Sequence, residues 1–194
     1  MPIQGATLDQ AVDRFRTHLN GILAQTVTRH TLTFFTVDRL LGIGFRDAMG
    51  RPTEAPLETR YGPMRLGLTQ SCSSTVTGSR HRQLHTLHTI SYRYTLAARN
   101  QAEPFVRWEY VKSPPRDARW CRHHLQGPIQ LDVAEHHSLA LDGLHLPTGF
   151  VTIEEVLRFC IVDLGVRPLS RDWHDVLTRS YERFKGDFAP RGTL

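Results

Sequence analysis

The chain has 194 residues, of which 40% are hydrophobic and 22% are charged, so a disordered or collagen-like protein is excluded. No apolar run approaches the ~18 residues that a membrane-spanning helix needs, and the N-terminus lacks the basic and apolar stretches of a secretory signal peptide. The net charge of +5 arises in the middle of the chain, because residues 60–130 carry 11 Lys and Arg against 3 Asp and Glu.

The first half of the chain predicts one helix followed by strands. Apolar residues recur at helical spacing over residues 7–25 and indicate an amphipathic helix. The Thr-, Phe- and Val-rich residues 30–45 predict one or two strands. Residues 46–62, which are punctuated by Gly and Pro, predict an irregular segment. Strands are predicted again over residues 64–77 and 82–98.

The next segments continue the strand pattern. Residues 105–111 (FVRWEYV) alternate in character, and we expect them to pair with residues 82–98 as a hairpin. Residues 116–128 (RDARWCRHHLQGP) fit either a short helix or a strand, and the neighbouring strands favour a strand. Residues 129–150 are predicted to be rich in loops, with one short strand.

Two helices are predicted to close the chain, over residues 152–186. Thr152 and Glu155 form a capping box at the start of the first helix, and Gly165 ends it. The second helix follows and ends at Gly186. We therefore predict a single α+β domain over residues 1–194, with a mostly antiparallel sheet, one N-terminal helix and two C-terminal helices; residues 30–130 form its β-rich basic core.

The three cysteines bear on compartment and cofactors. Cys72, Cys121 and Cys160 are far apart and form no CxxC motif. An odd number of scattered cysteines argues against a disulfide framework and predicts a reducing compartment, which here means the cytoplasm. No cluster of His residues is accompanied by the carboxylate or Cys ligands that would complete a tetrahedral metal site. We therefore predict no metal and no other cofactor.

The densest set of reactive side chains lies between residues 92 and 126. Arg107 and Glu109 are two residues apart on a predicted strand, so their side chains project from one face. Cleaving RNA without a metal requires two proton-transfer groups, for which His is suited, and a cation for the phosphate, for which Arg is suited. The candidate catalytic residues are Arg107, Glu109, His123 and His124.

Aromatic and polar residues of the same segment are candidates for holding RNA, because aromatic rings can stack on unpaired bases. The candidate nucleic-acid-binding residues are Tyr92, Tyr94, Tyr110, Arg122 and Gln126. Neighbouring residues of a strand face opposite ways, so at most one of His123 and His124 belongs to a site. The competing interpretation is structural: Arg107 and Glu109 form a surface ion pair of little energetic value, and the tyrosines are ordinary sheet residues.

The order of these elements has a counterpart in a known family. The elements, in chain order, are Tyr92-Arg93-Tyr94, Arg107-Trp108-Glu109-Tyr110, the turn at Pro114-Pro115, Arg122-His123-His124 and the helix start Thr152-Ile153-Glu154-Glu155. Over about residues 88–162 the pattern resembles the TumE family of bacterial toxin–antitoxin toxins. The chain departs from that family at Trp108, Glu109 and Tyr110, where Tyr, Asp and Asn are usual. The resemblance implies a toxin that a cognate antitoxin neutralises.

Two classes of function therefore remain open. The first is a toxin that acts on RNA or on translation, with metal-independent RNA cleavage as its expected chemistry; its partners would be RNA and an antitoxin, and no membrane. The second is a non-enzymatic protein, such as an antitoxin, an immunity protein or a nucleic-acid-binding module, that uses the basic surface for recognition. The sequence leaves open whether the chain is an enzyme, which target it has and which oligomeric state it adopts.

Overall fold

Helices at both ends and a large antiparallel sheet between them make up the computed structural model, which confirms the predicted α+β fold. The structure describes residues 3–37, 40–79, 83–116, 121–128, 130–134, 137–140 and 144–188. The helices are α1 (Leu8–Gln25), α2 (Ile153–Val162) and α3 (Trp173–Phe188). The strands are β1 (Gln4–Gly5), β2 (Leu32–Val37), β3 (Leu40–Phe45), β4 (Ala55–Thr59), β5 (Gly62–Thr77), β6 (Leu84–Ala98), β7 (Val106–Val111), β8 (His123–Gln126), β9 (Gln130–Ala134), β10 (His137–Ala140) and β11 (Leu146–Pro147).

The main sheet is antiparallel throughout. Its strand order is β11-β8-β7-β6-β5-β3-β2, so most strands lie beside their neighbours in the chain. The long β5 pairs with β4 along its first residues and with β3 further along. The short β1 pairs with the start of β6, and β9 and β10 form a separate pair. This arrangement places β6, β7 and β8 side by side near one end of the sheet.

Most predicted elements agree with the structure, and two regions differ. The predicted hairpin of residues 82–98 and 105–111 is the β6–β7 pair. Within residues 116–128, β8 is a strand as favoured, while residues 117–120 lie outside the described part. The predicted irregular segment 46–62 contains β4, and the described part of residues 129–150 contains three short strands instead of one. These strands are too short, and their alternation too weak, for the period of two to reveal them.

The two faces of the sheet differ in chemistry. Along β6, Tyr92, Tyr94 and Leu96 are buried with residues of all three helices in one hydrophobic cluster. The intervening residues therefore project from the opposite side, which carries Arg93 and, on β5, Thr69 and Ser71. We call this second side the polar face. The helices pack on the first face and form the hydrophobic core with it. Substitutions on the polar face therefore leave this core intact.

A buried polar contact joins the three helices. Ser180 of α3 donates a hydrogen bond to the Glu154 carboxylate of α2, and its oxygen lies 3.0 Å from Nε2 of His18 in α1. Since the Ser180 proton is used toward Glu154, His18 Nε2 donates to Ser180 Oγ. Burial, reinforced by the nearby Arg183 charge, lowers the pKa of His18 from 6.5 to about 4. The folded protein therefore holds this imidazole neutral at neutral pH.

Acid is expected to destabilise the protein through His18. Because the folded-state pKa lies below the unfolded one, the unfolded chain binds the extra proton between the two values, and stability falls as the pH drops from 6.5 to about 4. At roughly 1.4 kcal/mol per pH unit, the contribution of His18 amounts to about 3 kcal/mol. Urea unfolding at neutral pH and near the lower pKa should show a smaller acid loss for His18→Gln than for the wild type. Equal losses in both proteins would contradict the assignment.

Candidate active site on the polar face

The register of three strands brings the site together. Arg93 of β6 lies opposite Glu109 of β7, and Glu109 lies opposite His124 of β8. One row further along, Arg107 lies opposite Gln126. Partners in directly opposed positions share a face, so all five side chains project from the polar face. Hairpin pairing thus assembles a carboxylate, an imidazole, an amide and two guanidinium groups from residues that are up to 33 positions apart.

Glu109 and His124 form the centre of this set. His124 Nε2 lies 3.2 Å from Glu109 Oε2, and its Nδ1 lies 2.9 Å from the carbonyl oxygen of Cys121. A carbonyl oxygen can only accept, so Nδ1 carries a hydrogen, and the contact between Nε2 and Oε2 holds one further proton on one atom or the other. The side chains are 3% and 12% exposed for His124 and Glu109. The Cys121 carbonyl therefore fixes the imidazole, and the carboxylate stands between it and solvent.

Arg93 completes the first row. Its Nε donates to Glu109 Oε1, so each oxygen of the Glu109 carboxylate has its own partner. The Arg93 side chain nevertheless remains 63% exposed. A guanidinium group offers five donors in a planar fork. Arg93 can therefore bind Glu109 and present its remaining N–H groups to an anion in solution.

The second row adds another imidazole, from the segment just before β11. Arg107 Nη2 donates to Gln126 Oε1 at 3.1 Å, and the Gln126 amide nitrogen lies 2.8 Å from His145 Nε2. The ring centroids of His145 and His124 are 4.7 Å apart. Partial burial, together with His124 and Arg107, lowers the pKa of His145, although Glu109 opposes the change. His145 is therefore neutral at neutral pH, and the two rows meet at the paired imidazoles.

A cavity of about 450 Å³ opens at this set. Its floor consists of the hydroxyl-bearing residues Thr69, Ser71 and Ser91, and its far wall carries Glu109 and His124. The Nε atom of Arg107 is buried and has no hydrogen-bond partner among the described residues. The site thus combines a space the size of a small ligand with positive charge and an unused donor nearby.

The floor of the cavity continues as a row of residues across the sheet, which we call the trough. Phe35, Gly42, Ser71 and Ser91 occupy one row over β2, β3, β5 and β6. The Phe35 ring lies against Gly42, where an added Cβ would come within 2.3 Å of it, and the Arg46 guanidinium stacks on that ring at 3.6 Å. At about 4.8 Å between strands, the row spans roughly 14 Å. The Phe35 ring therefore covers Gly42, and the row presents the small side chains of Ser71 and Ser91 beside this ring.

The structure separates the residues that the sequence nominated. It places Arg107, Glu109, His124 and Gln126 together on the polar face. It places the ring of His123 on the opposite side, stacked on Tyr110 at 4.5 Å. Arg122, which precedes β8, is exposed.

The expectation that the tyrosines stack on RNA bases requires correction. Tyr92 and Tyr94 are 3% and 1% exposed, and they stack on each other at 4.4 Å within the core. Tyr110 packs against His123 and Phe150 on the same side of the sheet. The alternation of β6 and β7 turns all three rings toward the helices, to the side of the sheet opposite Arg93 and Glu109.

Two residues of the site were missed by sequence analysis, Arg93 and His145. Arg93 could have been found, since it alternates with Tyr92 and Tyr94, and a hairpin register would have set it opposite Glu109. No local pattern could have found His145, because its segment joins the site only through the two-residue β11, which pairs with β8.

Comparison with known proteins adds no relative. No protein-family model, curated protein or solved structure matches the chain. Within the described residues, no group of three or more His, Cys, Asp and Glu side chains is arranged to hold a metal ion. Among the helices of that same part of the chain, none has the length and apolar character needed to cross a membrane. The chemistry of the polar face is therefore what indicates a function.

Proposed function

We propose that the protein is a toxin of a toxin–antitoxin system, similar to the TumE family, that acts on RNA through the polar face. The observation that supports this best is the row Arg93, Glu109 and His124, with His145 beside it. It places a phosphate-binding cation, Arg93, and proton-transfer groups around one cavity. These are the groups that RNA cleavage by an internal nucleophile requires.

The proposed reaction is transesterification at phosphorus. The ribose 2′-oxygen attacks the adjacent phosphorus and loses its proton, while the departing 5′-oxygen gains one. The products are a 2′,3′-cyclic phosphate and a 5′-hydroxyl end. The Glu109–His124 pair, which shares one proton, and the neutral His145 supply the two proton transfers. Arg93 and Arg107 stabilise the charge that develops on the phosphorane oxygens.

The contacts within the site also support a second candidate, a binding protein without turnover. Both oxygens of Glu109 and both ring nitrogens of His124 already have partners in the free protein. A network that is satisfied in this way favours a rigid recognition surface for RNA or for an acidic protein. Such a protein would bind RNA with an affinity that falls steeply with salt and would leave the RNA intact.

Cleavage of a labelled single-stranded RNA tests the proposal directly. The purified protein should yield 2′,3′-cyclic phosphate ends in the presence of EDTA, and expression of the chain should arrest growth. His124→Ala should remove both effects, whereas His123→Ala, the same change on the opposite side of the sheet, should retain cleavage. Circular dichroism confirms that each variant folds. Intact RNA with the wild-type protein, or full cleavage by His124→Ala, would overturn the proposed site.

A further inference from the structure

A second cavity, of about 290 Å³, lies on the helix side of the sheet. It is enclosed by α1, the start of α2 and the inward side of β5 to β8. Small-molecule pockets typically have volumes of roughly 300–1,000 Å³, and this cavity lies at the lower end of that scale. It therefore has space for one compact ligand and not for a polymer segment. It opens on the opposite side of the sheet from Glu109 and His124, and the proposed RNA cleavage does not use it.

The walls of the cavity suit a planar ring. Phe15 and Ile153 provide apolar surface from the helices. On the sheet side of the cavity, the His123 ring stacks on Tyr110 and lies edge-on to Phe150. The ring centroids of His123 and Phe150 are 5.5 Å apart. Burial and the charges of Arg122 and His124 lower the pKa of His123, so its ring is neutral at neutral pH. Its Nδ1 is buried and has no hydrogen-bond partner in the part of the chain that the structure describes.

Polar groups lie at the buried end. Gln70 occupies an inward position of β5 where its neighbours, Leu68 and Cys72, are apolar. Its amide nitrogen donates to Tyr94 Oη at 2.9 Å. Among the described residues, this leaves the Gln70 carbonyl oxygen as an unused acceptor and the Tyr94 hydroxyl as an unused donor. An unpaired acceptor and donor side by side match the edge of a nucleobase, which a Gln side chain reads in the same way in nucleic acids.

A cation stands where the cavity meets solvent. Lys112, directly after β7, is exposed and lines the cavity. Its ammonium group can hold an anion as a point charge. The cavity therefore offers, in order from its buried end, a base-reading edge, flat walls for a ring and a positive charge.

We propose that this cavity binds a nucleoside 5′-monophosphate. The base enters between the His123 side and the Phe15 side, its edge pairs with Gln70 and Tyr94, and its phosphate is held by Lys112. Each of the three groups recognises a different part of the ligand. Substitutions should therefore separate recognition of the base from recognition of the phosphate.

Isothermal titration calorimetry with AMP, GMP, CMP and UMP, and with the four nucleosides, tests the proposal. At least one monophosphate is expected to bind. Lys112→Ala should weaken the binding of that monophosphate about tenfold, or ~1.4 kcal/mol. The same change should leave the affinity for the corresponding nucleoside unchanged. Gln70→Leu should weaken the binding of the monophosphate and of the nucleoside. Arg99→Ala removes an exposed cation that does not line the cavity and should alter neither.

The contradicting outcomes are distinct from those for RNA cleavage. No binding of any monophosphate at millimolar concentration would overturn the cavity proposal while leaving the polar face untested by it. Binding that is lost in His124→Ala but kept in both Gln70→Leu and Tyr94→Phe would place the nucleotide on the polar face and overturn the proposal as well. Thermal unfolding of each variant without ligand shows that the fold is retained.

Discussion

Replacing Glu109 by Gln is expected to lower the rate of RNA cleavage by a factor between about 10² and 10⁴, the usual contribution of a positioned proton-transfer group. The amide has the shape of the carboxylate, but it cannot take up a proton from His124 or from the substrate. It also removes the negative charge that pairs with Arg93. The geometry of β7 remains, because a Gln oxygen can still accept one of the two hydrogen bonds.

Glu58→Gln provides the matched control, since Glu58 is an exposed carboxylate on β4. It should cleave RNA at the wild-type rate. Single-turnover rates for both variants, with unfolding curves to show comparable stability, separate a chemical effect from loss of fold. Wild-type cleavage by Glu109→Gln would exclude this carboxylate from the reaction even if the protein is a ribonuclease. Growth arrest after expression should follow the same order as the rates.

Alternation along strands explains how far the sequence could predict this site. A period of two puts Arg107 and Glu109 on one face and forces His123 and His124 onto opposite faces. It also turns the tyrosines inward once the core side is known, since Tyr92 and Tyr94 alternate with Arg93. Which face receives the helices is a property of the assembled layers, and periodicity alone cannot determine it.

Elements without a period of their own were the ones that could not be predicted. The strand β4 contains Pro56, which argues against a strand in the sequence. Among the described strands β4 pairs with β5 alone, and this edge position tolerates a proline. His145 belongs to the site because β11 pairs with β8 over two residues, which is too short for any pattern. Both the strand β4 and the position of His145 thus depend on pairing between strands of the folded protein.

The trough on the polar face predicts that the substrate is single-stranded RNA. An extended single strand can lie over Ser71 and Ser91 and beside the Phe35 ring, whereas a duplex is too wide to reach these two small side chains. Filling the trough with a large side chain should therefore remove the binding energy of the flanking nucleotides. The reacting phosphate at Glu109 should be affected much less, because Ser71 lies outside the row of Thr69, Arg93 and Glu109.

Ser71→Tyr is accordingly expected to lower kcat/KM for a single-stranded RNA of about ten nucleotides by at least tenfold, or ~1.4 kcal/mol of transition-state stabilisation. Cleavage of a dinucleotide, which needs only the reacting phosphate, should change by less than about twofold. Ser74→Tyr places the same side chain at an exposed position further along β5 and should leave both rates as they are. Equal loss for the long and the short substrate would show that the new ring disturbs the catalytic groups themselves. Unchanged cleavage of both would show that RNA does not cross the sheet along this row, because a tyrosine between Ser91 and the Phe35 ring leaves no space for a ribose-phosphate chain.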